Sequence, residues 1–142
     1  MRVEAIAYPE KEGGYSVSIP ALDIWTQGET LEECRFMAAD AVTGIFETEF
    51  EDKNFEGKIF AHSEQGNSFT LSVPPEETLQ LMLKLLRSKQ GLSLSETTKI
   101  LGYSSKNSFA QYEQGTREPG VAKFAQMLEG LQCDLVLSVR SK

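Results

Sequence analysis

Residues 92–119 read LSLSETTKILGYSSKNSFAQYEQGTREP and predict two short helices joined by a tight turn. Ser93 is followed three residues later by Glu96, which is the spacing of a capping box. In that motif each side chain hydrogen bonds to the backbone N–H of the other residue at a helix start. Leu94, Thr97 or Thr98, and Leu101 then recur at helical spacing as far as Gly102, a residue type that readily adopts the left-handed conformation that ends a helix. We therefore expect the first helix between Ser93 and Gly102.

The second helix is expected to start after Ser105 or Asn107 and to bury Phe109 and Tyr112. Its outward side chains would be amide, hydroxyl and ammonium groups. Asn and Gln can pair bidentately with adenine, Lys can contact guanine or phosphate, and Ser can contact either. The residues that we predict to contact DNA are Ser93, Ser95, Ser104, Ser105, Lys106, Asn107, Ser108, Gln111 and Arg117. The alternative is a small helical bundle whose polar face is merely solvated.

The string YEQGTREP, residues 112–119, resembles the segment that closes the recognition helix in the Xre (lambda repressor-like) helix-turn-helix family. The resemblance covers roughly Leu79 to Leu131. The chain departs from the family at Leu94, where a phosphate-contacting Gln is usual. What the resemblance implies is a repressor that binds as a dimer to two half-sites about one helical turn apart.

Length and charge favour two small domains with different partners. The chain has 142 residues and a net charge of −7, and a chain of this size can form one ordinary domain or two small ones. Residues 1–75 hold 5 basic and 14 acidic side chains, a charge of −9, whereas residues 76–142 hold 9 and 7, a charge of +2. We expect domains at 1–73 and 74–142. Two copies of the mildly positive domain on one duplex would strengthen its attraction to DNA.

The small number of cysteine and histidine residues limits the kinds of catalytic and metal site that the chain can form. Cys34 and Cys133 lie in different halves without zinc-ligand spacing, so both are expected to be reduced. His62 is the only histidine, which excludes histidine-based triads and multi-histidine metal sites. We predict no metal and no cofactor. The absence of an apolar run of membrane length, and of a basic-then-apolar leader, predicts a cytoplasmic protein without a membrane partner.

The first half predicts an α+β domain in the order β-β-α-β-β. Its strands are expected at Arg2–Tyr8, Gly14–Ile19, Ile59–His62 and Phe69–Val73, and its helix begins after Thr30 with a second capping box to Glu33. One helix on one sheet leaves the other face and the edges open, and such a domain usually covers them with a partner. The helix ends in the acidic residues Glu47, Glu49, Glu51 and Asp52, which are either simply solvated or bind a partner.

The second half predicts an all-α domain with one added strand. A helix opening at Pro75 and ending at Gly91, the helix-turn-helix and a last helix opening at Pro119 are followed by a strand at Asp134–Arg140. Because this strand has no neighbour in a helical domain, we expect it to pair with its copy in a second subunit. The predicted dimer contacts are Leu135, Leu137 and Val139. The chain would then be a homodimer or a higher oligomer.

The run GYSVSIPALDIWTQGETLEEC, residues 14–34, resembles the signature of HicB antitoxins. In that family a G-Y-x-V strand is followed by a Pro, a short loop, T-x-G and a T-x-E-E helix start. The loop is one residue shorter here, and Trp25 replaces a small residue. The resemblance implies a truncated ribonuclease H-like domain that masks the active site of a small basic HicA-like toxin, which cleaves messenger RNA. A surface charge of −9 suits a cationic partner. The toxin-binding residues that we predict are Tyr15, Asp23, Trp25, Glu47 and Glu49.

The sequence leaves two alternatives to an antitoxin. A metal-dependent nuclease would need clustered carboxylates, but Glu4, Asp23 and Asp40 show no spacing that brings them together, so we predict that the chain is not an enzyme. The second alternative is a one-component transcriptional regulator whose first domain senses a small molecule. Its pocket would be lined by Tyr15, Trp25 and Phe36, although aromatic residues at such positions are more often core.

Overall fold

The computed structural model describes all residues, 1–142, as a mixed α+β chain. The chain divides into two compact units, Met1–Thr78 and Leu79–Lys142. The division falls inside a helix rather than at Val73. Counted by these units, the first holds 5 basic and 16 acidic residues and the second 9 and 5, so their charges are −11 and +4. None of the helices has the length and apolar character needed to cross a membrane.

The first unit is a five-stranded antiparallel sheet with one long helix. Its elements are β1 (Arg2–Pro9), β2 (Tyr15–Ile19), a 3₁₀ turn (Pro20–Leu22), β3 (Ile24–Gly28), α1 (Leu31–Glu49), β4 (Phe60–Ser63) and β5 (Ser68–Ser72). The strand order is β3-β2-β1-β5-β4, which leaves β3 and β4 as the edges. The order predicted from the sequence was therefore wrong by one strand, because β3 was expected to be part of a loop.

The edge strand β3 forms because the chain reverses tightly after β2. Asp23 follows the 3₁₀ turn with a left-handed φ of 51°, a conformation that Asp tolerates better than most residues. The reversal places Ile24 opposite Ile19, and the ladder continues to Gly28 opposite Tyr15. Strand β3 thus extends the sheet by one edge.

Helix α1 covers one face of the sheet. Its buried side chains are Cys34, Ala38, Val42 and Phe46, at four-residue intervals. They meet the inward residues of the central strand, among them Val3, Ala5 and Ala7, and the ring of Phe46 packs edge-on against Phe55 at 5.2 Å. Burial of these apolar side chains on one side only is what holds the helix to the sheet.

The start of α1 differs in one detail from the predicted capping box. Thr30 Oγ1 accepts a hydrogen bond from the Glu33 N–H at 3.1 Å, as expected. The Glu33 carboxylate, however, accepts from the N–H of Glu29 at 3.1 Å rather than from that of Thr30. The box closes one residue earlier and still satisfies two backbone donors at the helix start.

Gly28 sets the closest approach between β3 and α1. A Cβ atom at this position would lie 2.8 Å from the backbone nitrogen of Cys34 and 3.1 Å from its Cα. Backbone atoms in a capped helix cannot move aside as a flexible side chain does. Any larger residue at position 28 would therefore push the edge strand away from the helix.

The second unit is built from four helices. They are α2 (Pro75–Lys89), whose first turn belongs to the first unit, α3 (Leu94–Ile100), α4 (Ser108–Glu113) and α5 (Val121–Gly130). The capping box at α3 is confirmed, since Ser93 Oγ accepts from the Glu96 N–H at 3.0 Å and the Glu96 carboxylate accepts from the Ser93 N–H at 3.2 Å. Gly102 has the predicted left-handed φ, at +73°. Helix α4 starts after Asn107 and buries Phe109 and Tyr112, also as predicted.

A largely buried ion pair joins α2 to α4. The Arg87 guanidinium donates from Nε and Nη2 to the two carboxylate oxygens of Glu113, each at 2.8 Å, and from Nη1 to the carbonyl of Leu92 at 2.7 Å. The two side chains are only 15% and 9% exposed. One guanidinium therefore holds the end of α2, the loop before α3 and the end of α4 together.

The predicted strand Asp134–Arg140 is not formed in the single chain. Residues 132–142 have no helix or strand, and Val136 and Val139 are 87% and 98% exposed. A strand exists only when its backbone groups pair with another strand, and the second unit contains none. The dimer role of Leu135, Leu137 and Val139 stays a prediction.

Candidate functional sites

The sheet face opposite α1 carries no element of the first unit, and we call it the open face. The strand registers place the following residues on it: Arg2, Glu4, Ile6, Tyr8, Ser16, Ser18, Trp25, Gln27, Phe60, His62, Ser68, Thr70 and Ser72. Three of them are large aromatic residues that remain exposed, namely Tyr8 (44%), Trp25 (61%) and Phe60 (49%). Exposed aromatic side chains on one face are typical of a surface that binds a protein.

The aromatic side chains of the open face are held in place by one another. The rings of Tyr8 and Trp25 stack with centroids 6.1 Å apart and planes at 29°. At the other edge, Phe60 lies 5.0 Å from the His62 ring, and His62 Nε2 is hydrogen bonded to Ser72 Oγ at 2.7 Å. A ring that is already ordered loses little conformational entropy when a partner covers it.

The structure separates the five predicted toxin-binding residues. Trp25 lies on the open face, opposite Ser18, whereas Tyr15 pairs with Gly28 and faces the α1 side of the sheet. Glu47 and Glu49 are exposed at the end of α1, again away from the open face, and Asp23 forms the left-handed turn. They do not form one surface. Tyr8 and Phe60, which do share a face with Trp25, were missed by the sequence analysis, although the two-residue alternation of β1 does place Tyr8 opposite its buried side chains.

The sensing pocket of the alternative regulator is not formed. Tyr15 and Trp25 lie on opposite faces of the sheet, and Phe36 is 68% exposed on the outer surface of α1. The hypothesis that these three residues line one pocket was therefore wrong.

The acidic residues weighed as nuclease ligands are also apart. Glu4 lies on the open face and Asp40 is exposed on α1, on the other side of the sheet. No group of three or more His, Cys, Asp or Glu side chains has an arrangement that could hold a metal ion. That the chain lacks enzymatic activity stays a prediction.

The residues predicted to contact DNA all lie between the start of α3 and the loop after α4. Lys106 and Asn107 are exposed in the loop between the two helices, while Ser108 and Gln111 are half-buried on α4. Two of the serine hydroxyls already accept backbone hydrogen bonds, Ser93 at the α3 cap and Ser105 from the Asn107 N–H at 3.3 Å. The remaining predicted contacts are Ser95, Ser104 and Arg117, all of them exposed.

Three of the predicted DNA contacts line a cleft of about 300 Å³ beside the turn between α3 and α4. The complete lining is Gly102, Tyr103, Ser104, Ser108, Tyr112, Arg117 and Lys123. Lys123 Nζ lies 5.1 Å from the Tyr103 ring centre and 5.2 Å from that of Tyr112, and Arg117 Cζ lies 5.0 Å from the Tyr112 ring centre. Lys123 and Tyr103 were missed, because only the fold brings α5 to the helix-turn-helix.

The comparisons with known proteins point to one group. No protein-family model matches the chain. Over 53 residues, which are 37% of this chain, it is 47% identical to "Antitoxin HicB 1" of Photorhabdus laumondii subsp. laumondii. The matched stretch is 34% of that protein, so this chain spans about a third of the length of its curated relative. The chain is thus similar, over part of its length, to an antitoxin of the HicB group.

Proposed function

We propose that the protein is the antitoxin of a type II toxin–antitoxin pair. The first unit would bind and mask a small basic HicA-like toxin that cleaves messenger RNA, and the second would repress the operon that encodes both proteins. The main support is the 47% identity with a HicB antitoxin over 53 residues. The opposite charges of the two units, −11 and +4, fit the two partners, one basic and one anionic.

Neutralisation would work by stoichiometric binding rather than by catalysis. A strongly anionic unit attracts a cationic RNA-binding protein and orients it before contact. The open face then supplies ordered aromatic rings near both of its edges, Trp25 on β3 and Phe60 on β4, for burial in the interface. Polar neighbours such as Ser16, Gln27 and His62 can form hydrogen bonds with the partner. A toxin held in this way would be attracted by the charge of −11 of the whole unit and bound through the aromatic and polar side chains of the open face.

Operator binding would use α4 as the recognition helix and α3 as the helix that crosses the backbone. Lys106 and Asn107 are exposed at the start of α4, and Gln111 follows on its half-buried side. A charge of +4 per unit is a modest attraction, and a dimer that places two units on adjacent half-sites doubles it.

The experiment that tests both activities uses the full chain and the small basic protein encoded beside its gene. We expect the two to co-purify after co-expression, and RNA cleavage by the isolated toxin to stop at a stoichiometric amount of this chain. We also expect the chain to retard its own promoter fragment and not a shuffled fragment of equal length. Continued cleavage at a fivefold excess, together with equal affinity for both fragments, would reject the proposal.

Deleting residues 134–142 is expected to convert the homodimer into a monomer. In the single chain, the apolar side chains of Val136, Leu137 and Val139 in this segment are largely exposed, and a second copy would bury them in a two-stranded pairing. Light scattering coupled to size-exclusion chromatography measures the change. A full-length chain with Ser138→Ala is the matched control and should remain dimeric. A truncated chain that stays dimeric shows that the interface lies elsewhere.

A further inference from the structure

The cleft beside the α3–α4 turn holds two cations that have no anionic partner. Arg117 and Lys123 form no ion pair, and their charges contact only tyrosine rings, at 5.0 to 5.2 Å from the ring centres. Cation–π contacts offset part of the cost of holding these charges at a protein surface. Cation–π contacts do not remove the repulsion between two cations that share the ring of Tyr112. An anion bound between Lys123 and Arg117 would offset that repulsion.

The stability of α5 does not explain why a lysine occupies position 123. Gly120 is the N-cap of α5, so Lys123 is the third residue of that helix, and no acidic residue lies in the first turn. A positive charge near a helix N-terminus opposes the macrodipole. Lys123 therefore slightly lowers the stability of its own helix. The contacts of its side chain are with Tyr103 and Tyr112 in the cleft.

The backbone of Arg117, which also lines the cleft, is held in place by a hydrogen bond to the carbonyl of Gln111. The carbonyl of Gln111 accepts hydrogen bonds from the N–H groups of Thr116 and Arg117, at 3.0 and 3.2 Å, and from Thr116 Oγ1 at 3.1 Å. The turn is made possible by Gly115, which has a φ of +80°. These hydrogen bonds fix the backbone at Arg117, and the guanidinium lies against the Tyr112 ring at 5.0 Å, so part of the ordering that anion binding requires is already present.

The remaining lining consists of hydrogen-bond donors. Ser104 and Ser108 contribute hydroxyl groups, and burial raises the pKa of Tyr103, although Lys123 opposes that rise. The Tyr103 hydroxyl therefore stays protonated at neutral pH and can donate. Cations and O–H donors without a carboxylate match the oxygens of a phosphate group.

We propose that this cleft binds one phosphodiester of the DNA backbone, with Lys123 and Arg117 as the two cationic contacts. The inference rests on the proposed DNA binding and assigns a role to Lys123 that is not sequence readout. A backbone phosphate held between α5 and the loop after α4 fixes the orientation of the unit on the duplex. Lys106 and Asn107 then meet the base edges in a fixed register.

The test is a salt titration of promoter binding by fluorescence anisotropy with the full chain. Lys123→Gln is expected to weaken binding of the dimer about 100-fold, equally for the promoter and for a shuffled fragment, since one charge-assisted hydrogen bond is worth about a factor of ten and each of the two protomers loses one. The double variant Lys123→Gln/Arg117→Gln should lower the slope of log K against log salt by about 1.8, the value for two phosphates, since the bound dimer has one cleft on each half-site. Unchanged affinity and slope, or a slope lower by about twice that amount, would overturn the single-phosphate site.

Two controls separate this inference from the proposed function. Lys11→Gln removes the same charge from the hairpin turn of the first unit and should leave DNA affinity within a factor of two of the unmodified chain. If the unmodified chain does not bind its promoter at all, the proposed function fails. If it binds and Lys123→Gln binds equally well, only the cleft assignment fails.

Inorganic phosphate, added to the free protein and followed by the NMR signals of Tyr103, should bind only weakly. Tight binding of inorganic phosphate would identify a free phosphate site instead.

Discussion

Replacing Glu113 by alanine is expected to lower the free energy of unfolding of the second unit by about 3–5 kcal/mol, the usual cost of removing one partner of a buried ion pair. The Arg87 guanidinium would lose two of its three hydrogen bonds while remaining only about 15% exposed. A folded unit of this size has a total stability of about 3–10 kcal/mol. The variant should therefore be partly unfolded at ambient temperature.

The measurement is urea unfolding of the full chain with two probes. Trp25 is the only tryptophan and lies in the first unit, so its fluorescence follows that unit, while the far-ultraviolet circular dichroism of the helices follows both. In Glu113→Ala the helical signal should lose part of its amplitude at low urea, whereas the Trp25 transition should keep its midpoint. Glu118→Ala removes the same charge from an exposed position of the neighbouring loop and should change stability by less than about 0.5 kcal/mol.

A double replacement distinguishes the loss of charge pairing from the loss of packing. In Arg87→Met/Glu113→Leu both buried charges are absent, and apolar side chains of similar size fill the space. Such exchanges are often neutral or stabilising, so we expect most of the stability lost in Glu113→Ala to return. A double variant as unstable as the single one would show that shape, and not the uncompensated charge of Arg87, sets the cost.

The helical elements were predictable because their signals are local. The Ser93–Glu96 box, the left-handed Gly102 and the burial of Phe109 and Tyr112 depend on residues within one or two helical turns of each other. Strands β1, β2, β4 and β5 were also found within one or two residues at each end, because inward and outward side chains alternate along them.

Strand β3 was mispredicted, whereas the C-terminal segment, which was expected to form a strand only with its copy in a second subunit, stays a prediction. In β3, Ile24 faces inward and Trp25 outward, and because both are apolar the two-residue alternation is masked. The segment 134–140 has strong alternation, but a strand also needs a hydrogen-bonding neighbour, which the second unit does not provide. The alternation of apolar residues shows which face of a segment is apolar. It does not show whether a neighbouring strand is available to form hydrogen bonds with that segment.

The candidate sites were only partly predictable because they are assembled from distant segments. Trp25 and Tyr8 meet through the β1–β2–β3 ladder, and Lys123 reaches Tyr103 through the packing of α5. Neither contact leaves a mark in the local sequence. Charge was the better guide, since the division of the chain into an anionic and a cationic unit follows from counting alone.

Replacing Trp25 by alanine is expected to weaken toxin binding by about 2–4 kcal/mol, which raises Kd by about 30- to 1000-fold. Trp25 is 61% exposed in the chain and stacked on Tyr8, so a partner can bury a large ring that is already ordered. Aromatic anchors of this kind carry most of the binding energy in many interfaces, whereas surrounding polar contacts contribute little. Isothermal titration calorimetry with a catalytically inactive toxin measures the loss. Because the ring is mostly exposed, the unfolding free energy of the first unit should change by less than about 0.5 kcal/mol.

Phe36→Ala is the matched control, because Phe36 is also a large aromatic residue and is 68% exposed, but it lies on the outer surface of α1. If the toxin binds the open face, Phe36→Ala should leave Kd unchanged within about twofold, and Tyr8→Ala should reproduce part of the Trp25 effect by releasing the stacked ring. If instead Phe36→Ala and Glu47→Gln weaken binding while Trp25→Ala does not, the toxin binds the helix side of the first unit. The acidic end of α1 would then be the contact surface, and the open face would be free for a different partner.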